Sequence, residues 1–385
     1  METPRVGVVG AGQLARMMQQ SAIALGVPLA LLAEADDASA AQVVVDTHVG
    51  DSTDLETLRA WAQRCSVVTF DHEHVPTGHL EALEADGRVC RPGPEALIHA
   101  QDKAVMRSAL GAMGIPGPRS AVVSSVTEVE AFAQENGGYP LVLKTTRGGY
   151  DGKGVWVVHD GNEAAGVVSR VVPQALLAEE RVDFVRELSA MVARAPSGQM
   201  AAYPVVESVQ RDGVCVEVVA PAPGIDPAQA VESQTIAMSI AAGLGVTGVL
   251  AVELFEARDG RILVNELAMR PHNTGHWSID GAVTSQFENH LRGVLDLPLG
   301  STTARAPWTV MVNILGGSAP TLYDGYPHVQ ARDPGVRVHL YGKSVRPGRK
   351  VGHVTVYGHD LDEVRERAGH AAHWFQGDDG TMRKR

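Results

Sequence analysis

Two facing acids and a glycine-rich hairpin carry the chemistry this chain offers. Residues 249–267 read VLAVELFEARDGRILVNEL. Asp259-Gly260 is a favoured two-residue turn, which sets Arg258 opposite Arg261. The same register faces Glu253 with Glu266 between apolar stretches, an arrangement that like charges oppose. An oxygen-seeking divalent cation such as magnesium reverses the sign, because it is held by one or two carboxylates plus substrate phosphates. A solvated pair at the sheet rim, or one protonated acid, are the alternatives, and the adjacent Asn265 is a candidate further oxygen ligand at the strand end.

Residues 141–158 read LVLKTTRGGYDGKGVWVV, two strands around a tip with Gly148, Gly149, Gly152 and Gly154. Such a tip exposes N–H groups and can fold over a polyphosphate, with Lys144 fixed on the incoming strand. Arg147 and Lys153 add positive charge. No Lys-Ser/Thr and helix follow, so the loop is not a Walker motif. Near the start, VGVVGAGQLARMM forms a strand-to-helix turn at Gly10, Ala11 and Gly12, whose N–H groups and helix dipole make an anion seat. With Ala15, and with Glu34 at the end of LALLA, it also satisfies the loose dinucleotide fingerprint.

The elements that must hold these groups are legible in outline. Residues 1–98 alternate strands (6–9, 28–33, 67–70, 88–90) with helical stretches, which predicts a small parallel-sheet domain. A helical stretch over 95–113 stops at GIPGPRS, and a strand near Ala121, a helix capped from Ser125, the glycine hairpin and a helix over 161–170 follow. The remainder is mainly strands, closed by a helix over 361–375. AMRPHNTGHWSID reads as a long polar insert after a strand. Three domains are expected: an N-terminal substrate-binding α/β domain at 1–98, a lid with its helical linker at 99–188, and a C-terminal mixed-sheet domain at 189–385.

Composition narrows the class. The chain has 385 residues, 44% hydrophobic, with 33 basic against 45 acidic side chains and a net charge of −12. That field repels nucleic acid and acidic lipid, so an anionic substrate needs local basic clusters. No apolar run is long enough to span a membrane, and METPRVGVVG enters a strand at once, which leads us to expect a cytoplasmic protein without membrane or nucleic-acid partners. Cys65, Cys90 and Cys215 read as reduced structural thiols. His72, His74, His272 and His276 lack a third ligand at suitable spacing, and His290, His370 and His373 read as helix-surface residues.

Taken together, a glycine lid, a lysine before it and paired acids about a hundred residues on resemble the ATP-grasp superfamily. GAGQLARM, RGGYDGKG, NELAMRPHNTGHW and RPGRKVGH, in this order, resemble the signatures of the 5-(carboxyamino)imidazole ribonucleotide synthases of purine biosynthesis. The resemblance implies an α/β and α+β ATP-grasp architecture with an N-terminal Rossmann-like sheet. It implies a reaction in which ATP phosphorylates bicarbonate to carboxyphosphate, which delivers a carboxyl group, as carbon dioxide, to the amine of 5-aminoimidazole ribonucleotide and leaves ADP and phosphate. It further implies magnesium, with two ions expected, and a homodimer.

By the same resemblance, Lys103 and Lys144 hold ATP phosphates under a loop of Gly149, Tyr150, Asp151, Gly152, Lys153, Gly154 and Val155. Glu179, Glu180, Arg181 and Val182 form the hinge that reads adenine through the backbone, and Glu187 binds ribose. Gln210, Asn265 and Glu266 complete the nucleotide side, and Glu253 with Glu266 carries magnesium. The Gly12, Gln13, Leu14 turn seats part of the ribonucleotide rather than a dinucleotide, with Glu73 near its ring. Tyr150, Asp151, Lys153, Arg270, His272, Asn273 and Thr274, with Lys343, Arg346 and Arg349, converge on its phosphate, its ring and bicarbonate. Asp151, Lys153, Arg270 and His272 are the implied catalytic set, Asp151 orienting or deprotonating the amine.

The chain departs from the family pattern in places. Lys103 and Lys153 stand where arginine is expected, Gln210 replaces a common histidine and Met269 a common proline. A lysine contacts a phosphate as a point charge where arginine would be bidentate. An NAD-dependent oxidoreductase would leave the lid and the facing acids unexplained, and a non-catalytic nucleotide sensor would release no phosphate. An ATP-grasp relative that uses formate or another acid is the nearest rival.

Overall fold

The structure is a computed structural model that describes residues 3–149, 153–171, 173–319 and 321–377. Three sheets organise it. The first is parallel, in the order β3 (Asp46–Val49), β2 (Leu29–Ala33), β1 (Val6–Val9), β4 (Val67–Phe70). VGVV and LALLA are buried at every position because helices cover both faces, which is why they read as unbroken apolar runs. The expected strand at 88–90 contributes only a bridge from Cys90 to Val68 beside β4, and the opposite edge is formed by β3, whose DTHV composition carries no strand signal.

Helices α1 (Gln13–Leu25), α2 (Leu55–Ala62) and α3 (Thr77–Ala85) belong to this unit. The helix expected over 95–113 is two helices, α4 (Pro94–Gln101) and α5 (Lys103–Ala112). Asp102 breaks them: its backbone is extended and its carboxylate caps α5 by accepting from the Ala104 and Val105 N–H groups. That break sets Lys103 at the first turn of a helix aimed at the cleft described below.

The second sheet runs β5 (Ser120–Val123), β8 (Leu176–Glu180), β6 (Leu141–Thr145), β7 (Val155–Val158), all antiparallel, with α6 (Val126–Glu135) and α7 (Gly161–Val171) packed on it around their own small core. The third has nine strands. Eight run β14 (Ile262–Ala268), β13 (Gly248–Ala257), β9 (Phe184–Arg194), β11 (Val206–Arg211), β12 (Val214–Ala220), β15 (Trp308–Leu315), β17 (Lys350–Gly358), β16 (Arg337–Leu340), and β10 (Met200–Ala202) adds to β9.

Alternation divides the third sheet. Leu188, Ala190, Leu250, Val252 and Leu254 turn one way into a core with Ile236 and Ile240 of α8 (Pro227–Gly243), while Glu187 and Glu253 turn the other way. The long polar insert is not a surface loop. It forms a short 3-10 turn at Asn273–Gly275 and α9 (Ser278–Gly281), with Thr274, His276 and Trp277 buried. His290, expected on a helix surface, is fully buried on α10 (Gln286–Val294), where Nδ1 accepts from the Val249 N–H and Nε2 meets Thr69 Oγ1. The chain closes with α11 (Tyr326–Arg332) and α12 (Leu361–Phe375), the latter at the bounds its pattern predicts. All three cysteines are unpaired and buried, and no described helix is long and apolar enough to cross a membrane.

Candidate active site

A cleft of about 1210 Å³ lies where the three sheets meet. Its floor is the polar face of the third sheet, from which Glu187, Gln210, Glu253 and Glu266 project. Glu253 and Glu266 are directly opposite, as the sequence predicts, but the route differs. The reversal is not a two-residue turn. Ala257 pairs with Arg261 across a three-residue loop with Gly260 at φ +87°, and near the loop Leu254, Phe255 and Glu256 face Val264, Leu263 and Ile262. That register would face Glu253 with Asn265 and turn Glu266 to the core side. A β-bulge between Glu253 and Leu254 inserts Asn265 as an extra residue and restores the pairing of the acids. Asn265 and Glu266, though consecutive, therefore both line the cleft. Asn265, the candidate further ligand, has its Oδ1 accepting from Lys144 Nζ at 2.9 Å.

The acid pair is under electrostatic load. Glu253, its side chain 26% exposed, is pushed up to about 8 by burial, by Glu266 and by Glu187, against the pull of Lys350 and Arg270. Burial also raises Glu187, Glu266 adding to it and Lys144 opposing it. His272 lies 3.4 Å from Glu253, yet supplies no charge: burial, with Arg270 and Lys350, lowers it to about 3. Its Nδ1 accepts from Thr274, so the neutral ring presents Nε2–H to Glu253. The cation beside Glu266 is Lys103, whose Nζ lies 3.5 Å away. Among the described residues no group of three or more His, Cys, Asp or Glu is arranged to hold a metal alone. Two carboxylate-bearing strands facing each other fit a hard cation whose remaining ligands come from a substrate phosphate.

The wall above the floor comes from the second sheet. Lys144 on β6 is buried and reaches Glu179 at 2.8 Å, and the other Glu179 oxygen takes Arg107 at 2.6 Å. Burial opposes charge on Glu179, but Lys144 and Arg107 hold its carboxyl below the usual range. The Glu179 side chain is thus engaged by two buried cations rather than by the cleft. Glu180, Arg181 and Val182 line the cleft beside the stacked rings of Phe184 and Phe255, 4.7 Å apart. Gly149 and Val155 line the mouth, and Lys153 and Gly154 lie next to it in sequence outside the lining. Tyr150, Asp151 and Gly152 lie outside the described residues.

The far end of the cleft departs most from expectation. The glycine turn is not an open anion seat. Asp71, at the end of β4, accepts from the Gly12 N–H at 2.9 Å and the Ala15 N–H at 2.7 Å, and Glu34 accepts from Ala11 at 3.3 Å. A Cβ on Gly12 would meet Asp71 Oδ2 at 2.3 Å, so glycine is there for an internal carboxylate at the helix N-terminus. Gln13 and Leu14 line the cleft, and Gly12 does not. Lys343 donates to Gln13 Oε1, joining the C-terminal segment to this turn. Arg346 and Arg349 are not in the lining, Arg349 bonding Ser344 Oγ at 2.8 Å, whereas Lys350 of the same RPGRK cluster is. Glu73 holds the loop after β14, accepting from the Met269 N–H at 2.7 Å and pairing with Arg270 at 3.2 Å. Arg270, His272 and Asn273 line the cleft, while Thr274 lies behind them, bonded to His272 and Ser189.

Sequence reasoning passed over Arg107 and Asp71, and singled out Lys350 only as part of the RPGRK cluster. Arg107 had one weak signal, its place one helical turn after Lys103.

Comparison with known proteins shows the family. An ATP-grasp domain model matches residues 108–287, a ribonucleotide synthetase preATP-grasp domain model residues 1–101, and a phosphoribosylaminoimidazole carboxylase C-terminal domain model residues 309–367. The chain is 55% identical to N5-carboxyaminoimidazole ribonucleotide synthase of Mycobacterium leprae, covering 97% of this chain and 89% of that protein. It is 51% identical to the enzyme of the same name from Corynebacterium ammoniagenes, over 96% and 91%. The structure matches an ADP complex of an N5-carboxyaminoimidazole ribonucleotide synthetase with TM-score 0.89 and 32% identity, over 98% of each chain. It matches equally, at 0.89 and 32% over 97% and 99%, the Aspergillus clavatus synthase in complex with ADP and 5-aminoimidazole ribonucleotide. Matched by ATP-grasp family models, identical at more than half its aligned residues to the Mycobacterium leprae and Corynebacterium ammoniagenes enzymes, and alike in fold to the two solved synthases, the chain belongs to the N5-carboxyaminoimidazole ribonucleotide synthase family of ATP-grasp enzymes.

Proposed function

We propose that this chain is an ADP-forming ligase that carboxylates the exocyclic amine of 5-aminoimidazole ribonucleotide with ATP and bicarbonate, in de novo purine biosynthesis. The observation that carries the reading is the facing Glu253 and Glu266 on the floor of a cleft whose wall presents Lys103 and Lys144. A carboxylate pair that repels itself in the unliganded protein is arranged for a cationic load, and a nucleotide polyphosphate bridges such a load to the lysines.

Lys103 and Lys144 take the phosphates, the backbone of residues 179–182 reads adenine beside Phe184 and Phe255, and Glu187 takes the ribose. Glu253 and Glu266 would hold magnesium, with two ions expected, and the metal would supply neutralisation of phosphate charge. Bicarbonate oxygen attacks the terminal phosphorus of ATP, ADP leaves, and carboxyphosphate remains. Arg270, Asn273 and Lys350 surround that anion, and His272, neutral, orients Glu253 rather than delivering charge. The amine nitrogen then bonds to the carboxyl carbon, phosphate departs, and the amine gives up a proton to Asp151 or the phosphate. The lid from Gly149 to Val155, with Tyr150, Asp151 and Lys153, excludes water from the labile intermediate. Gln13, Leu14, Glu73 and Lys343 belong to the ribonucleotide end, with Arg346 and Arg349 reaching it only on closure. We further propose the divisions 1–98, 99–188 and 189–385, a cytoplasmic setting, a homodimer, and no nucleic-acid or membrane partner.

The deciding experiment measures ADP release with bicarbonate or formate, each with and without 5-aminoimidazole ribonucleotide. The reading expects release that requires the ribonucleotide and is supported by bicarbonate. Release with formate in place of bicarbonate, or none with any combination, refutes it.

A further inference from the structure

The acid pair exists only because β14 carries a bulge, and the bulge has an unusual support. β14 is the edge strand of its sheet, so its outer backbone groups have no neighbouring strand. Val264 points both groups outward, donating its N–H to the Pro116 carbonyl at 2.9 Å. In a regular strand the next residue would turn its carbonyl inward to β13. The inserted Asn265 instead presents its carbonyl outward as well, so two consecutive carbonyls need donors on a buried edge.

Arg107 supplies both. Its Nη1 donates to Val264 O at 2.7 Å and its Nη2 to Asn265 O at 2.8 Å, while Nε is held by Glu179 at 2.6 Å. The side chain is 7% exposed. Only a planar guanidinium offers three donors in one rigid fork; a lysine at this position could not span all three acceptors from one nitrogen. Because Glu179 also holds Lys144, and Lys144 donates to Asn265 Oδ1, the contacts close into a ring: Arg107, Glu179, Lys144, Asn265 and back to Arg107. One ring therefore ties the linker helix α5, the hinge strand β8, the lid strand β6 and the bulge of β14.

We propose that Arg107 is a positioning residue for the two-carboxylate site: by satisfying both carbonyls of the bulge it keeps Glu266 opposite Glu253 and Lys144 beside them, and so sets affinity for the metal-nucleotide. This rests on the nucleotide reading above, though not on which acid is phosphorylated. Without the fork, the bulge loses the donors that make two outward carbonyls tolerable, and the register set by the hairpin loop, which turns Glu266 away, competes.

The test is Arg107→Lys in the full chain, with binding of Mn²⁺-ADP followed by electron paramagnetic resonance, together with the magnesium dependence of ADP formation. Expected are a loss of at least about tenfold in Mn²⁺-ADP affinity, equivalent to about 1.4 kcal/mol, and a parallel rise in half-saturating magnesium. The KM for 5-aminoimidazole ribonucleotide should stay within about twofold, because its proposed end of the cleft lies beyond the ring. A merely structural arginine would lower the folded fraction and leave both metal constants unchanged. Metal constants within about twofold of wild type in folded R107K overturn the inference. Should R107K not fold, R107M removes the fork while leaving Glu179 paired with Lys144, and the same two constants decide. If wild type makes no ADP from bicarbonate and ribonucleotide, the proposed function fails while the Mn²⁺-ADP measurement still judges Arg107.

Discussion

Loading the acid pair should expel a proton. Glu253 is pushed up to about 8 by burial, Glu266 and Glu187, so at pH 7 it is ~0.9 protonated and at pH 9 ~0.1. Metal coordination needs both carboxylates ionised. Binding of Mg-ADP should then release about 0.9 proton at pH 7 and about 0.1 at pH 9. Calorimetric titration in buffers of different ionisation enthalpy reads this number directly, as the slope of apparent binding enthalpy against buffer enthalpy. Magnesium must saturate the nucleotide beforehand, so that the ligand's own phosphate proton is gone before mixing. In Glu253→Gln the slope should fall near zero and Mg-ADP affinity should drop. The same raised value fixes a stability sign: folded above unfolded, so the contribution is complete below the ordinary value of 4.5 and is lost as pH rises to about 8. Metal-free Glu253→Gln should accordingly melt at higher temperature than wild type at pH 8.5. No proton release at pH 7, or an undiminished release in Glu253→Gln, refutes the electrostatic account of the floor.

Further outcomes follow from other parts of the molecule. Glu266→Gln should abolish ATP turnover while the protein stays folded, and an active variant contradicts the assignment of the pair. Asp71→Ala should cost about 1–3 kcal/mol in denaturant unfolding, because two half-buried N–H groups lose their acceptor; a change below about 0.5 kcal/mol would show that the turn does not depend on it. Gly12→Ala should destabilise comparably, since its Cβ would overlap Asp71 Oδ2, and wild-type stability would dispose of that explanation. His272, His276, His290 and His353 are all held below the ordinary 6.5 by burial, so their contribution is present above about pH 6.5 and lost as pH falls. Each steepens acid unfolding by up to about 1.4 kcal/mol per pH unit, and a flat stability profile from pH 6.5 to 4.5 would be inconsistent with four neutral buried imidazoles.

Local pattern determined much of this protein by itself. VGVV and LALLA had to be strands covered on both faces, and the 3.6-residue spacing after Gln13 and after Leu361 had to be helix. Those are properties of neighbours in sequence, where propensity and periodicity act directly. Tertiary structure decided what depends on a partner from elsewhere in the chain. Glu253 faces Glu266 through a three-residue loop and a compensating bulge, neither of which periodicity encodes, since a bulge is stable only where something takes its spare carbonyls. Asp71 fills the turn that looked ready for a ligand because parallel pairing of β1 with β4 carries residue 71 to the helix N-terminus. His290 is buried because two sheets close over α10, although its own helix reads as polar. The sequence thus fixes which groups are charged and which segments are regular, and only the packed fold determines which charges have already found a partner and which face the cleft.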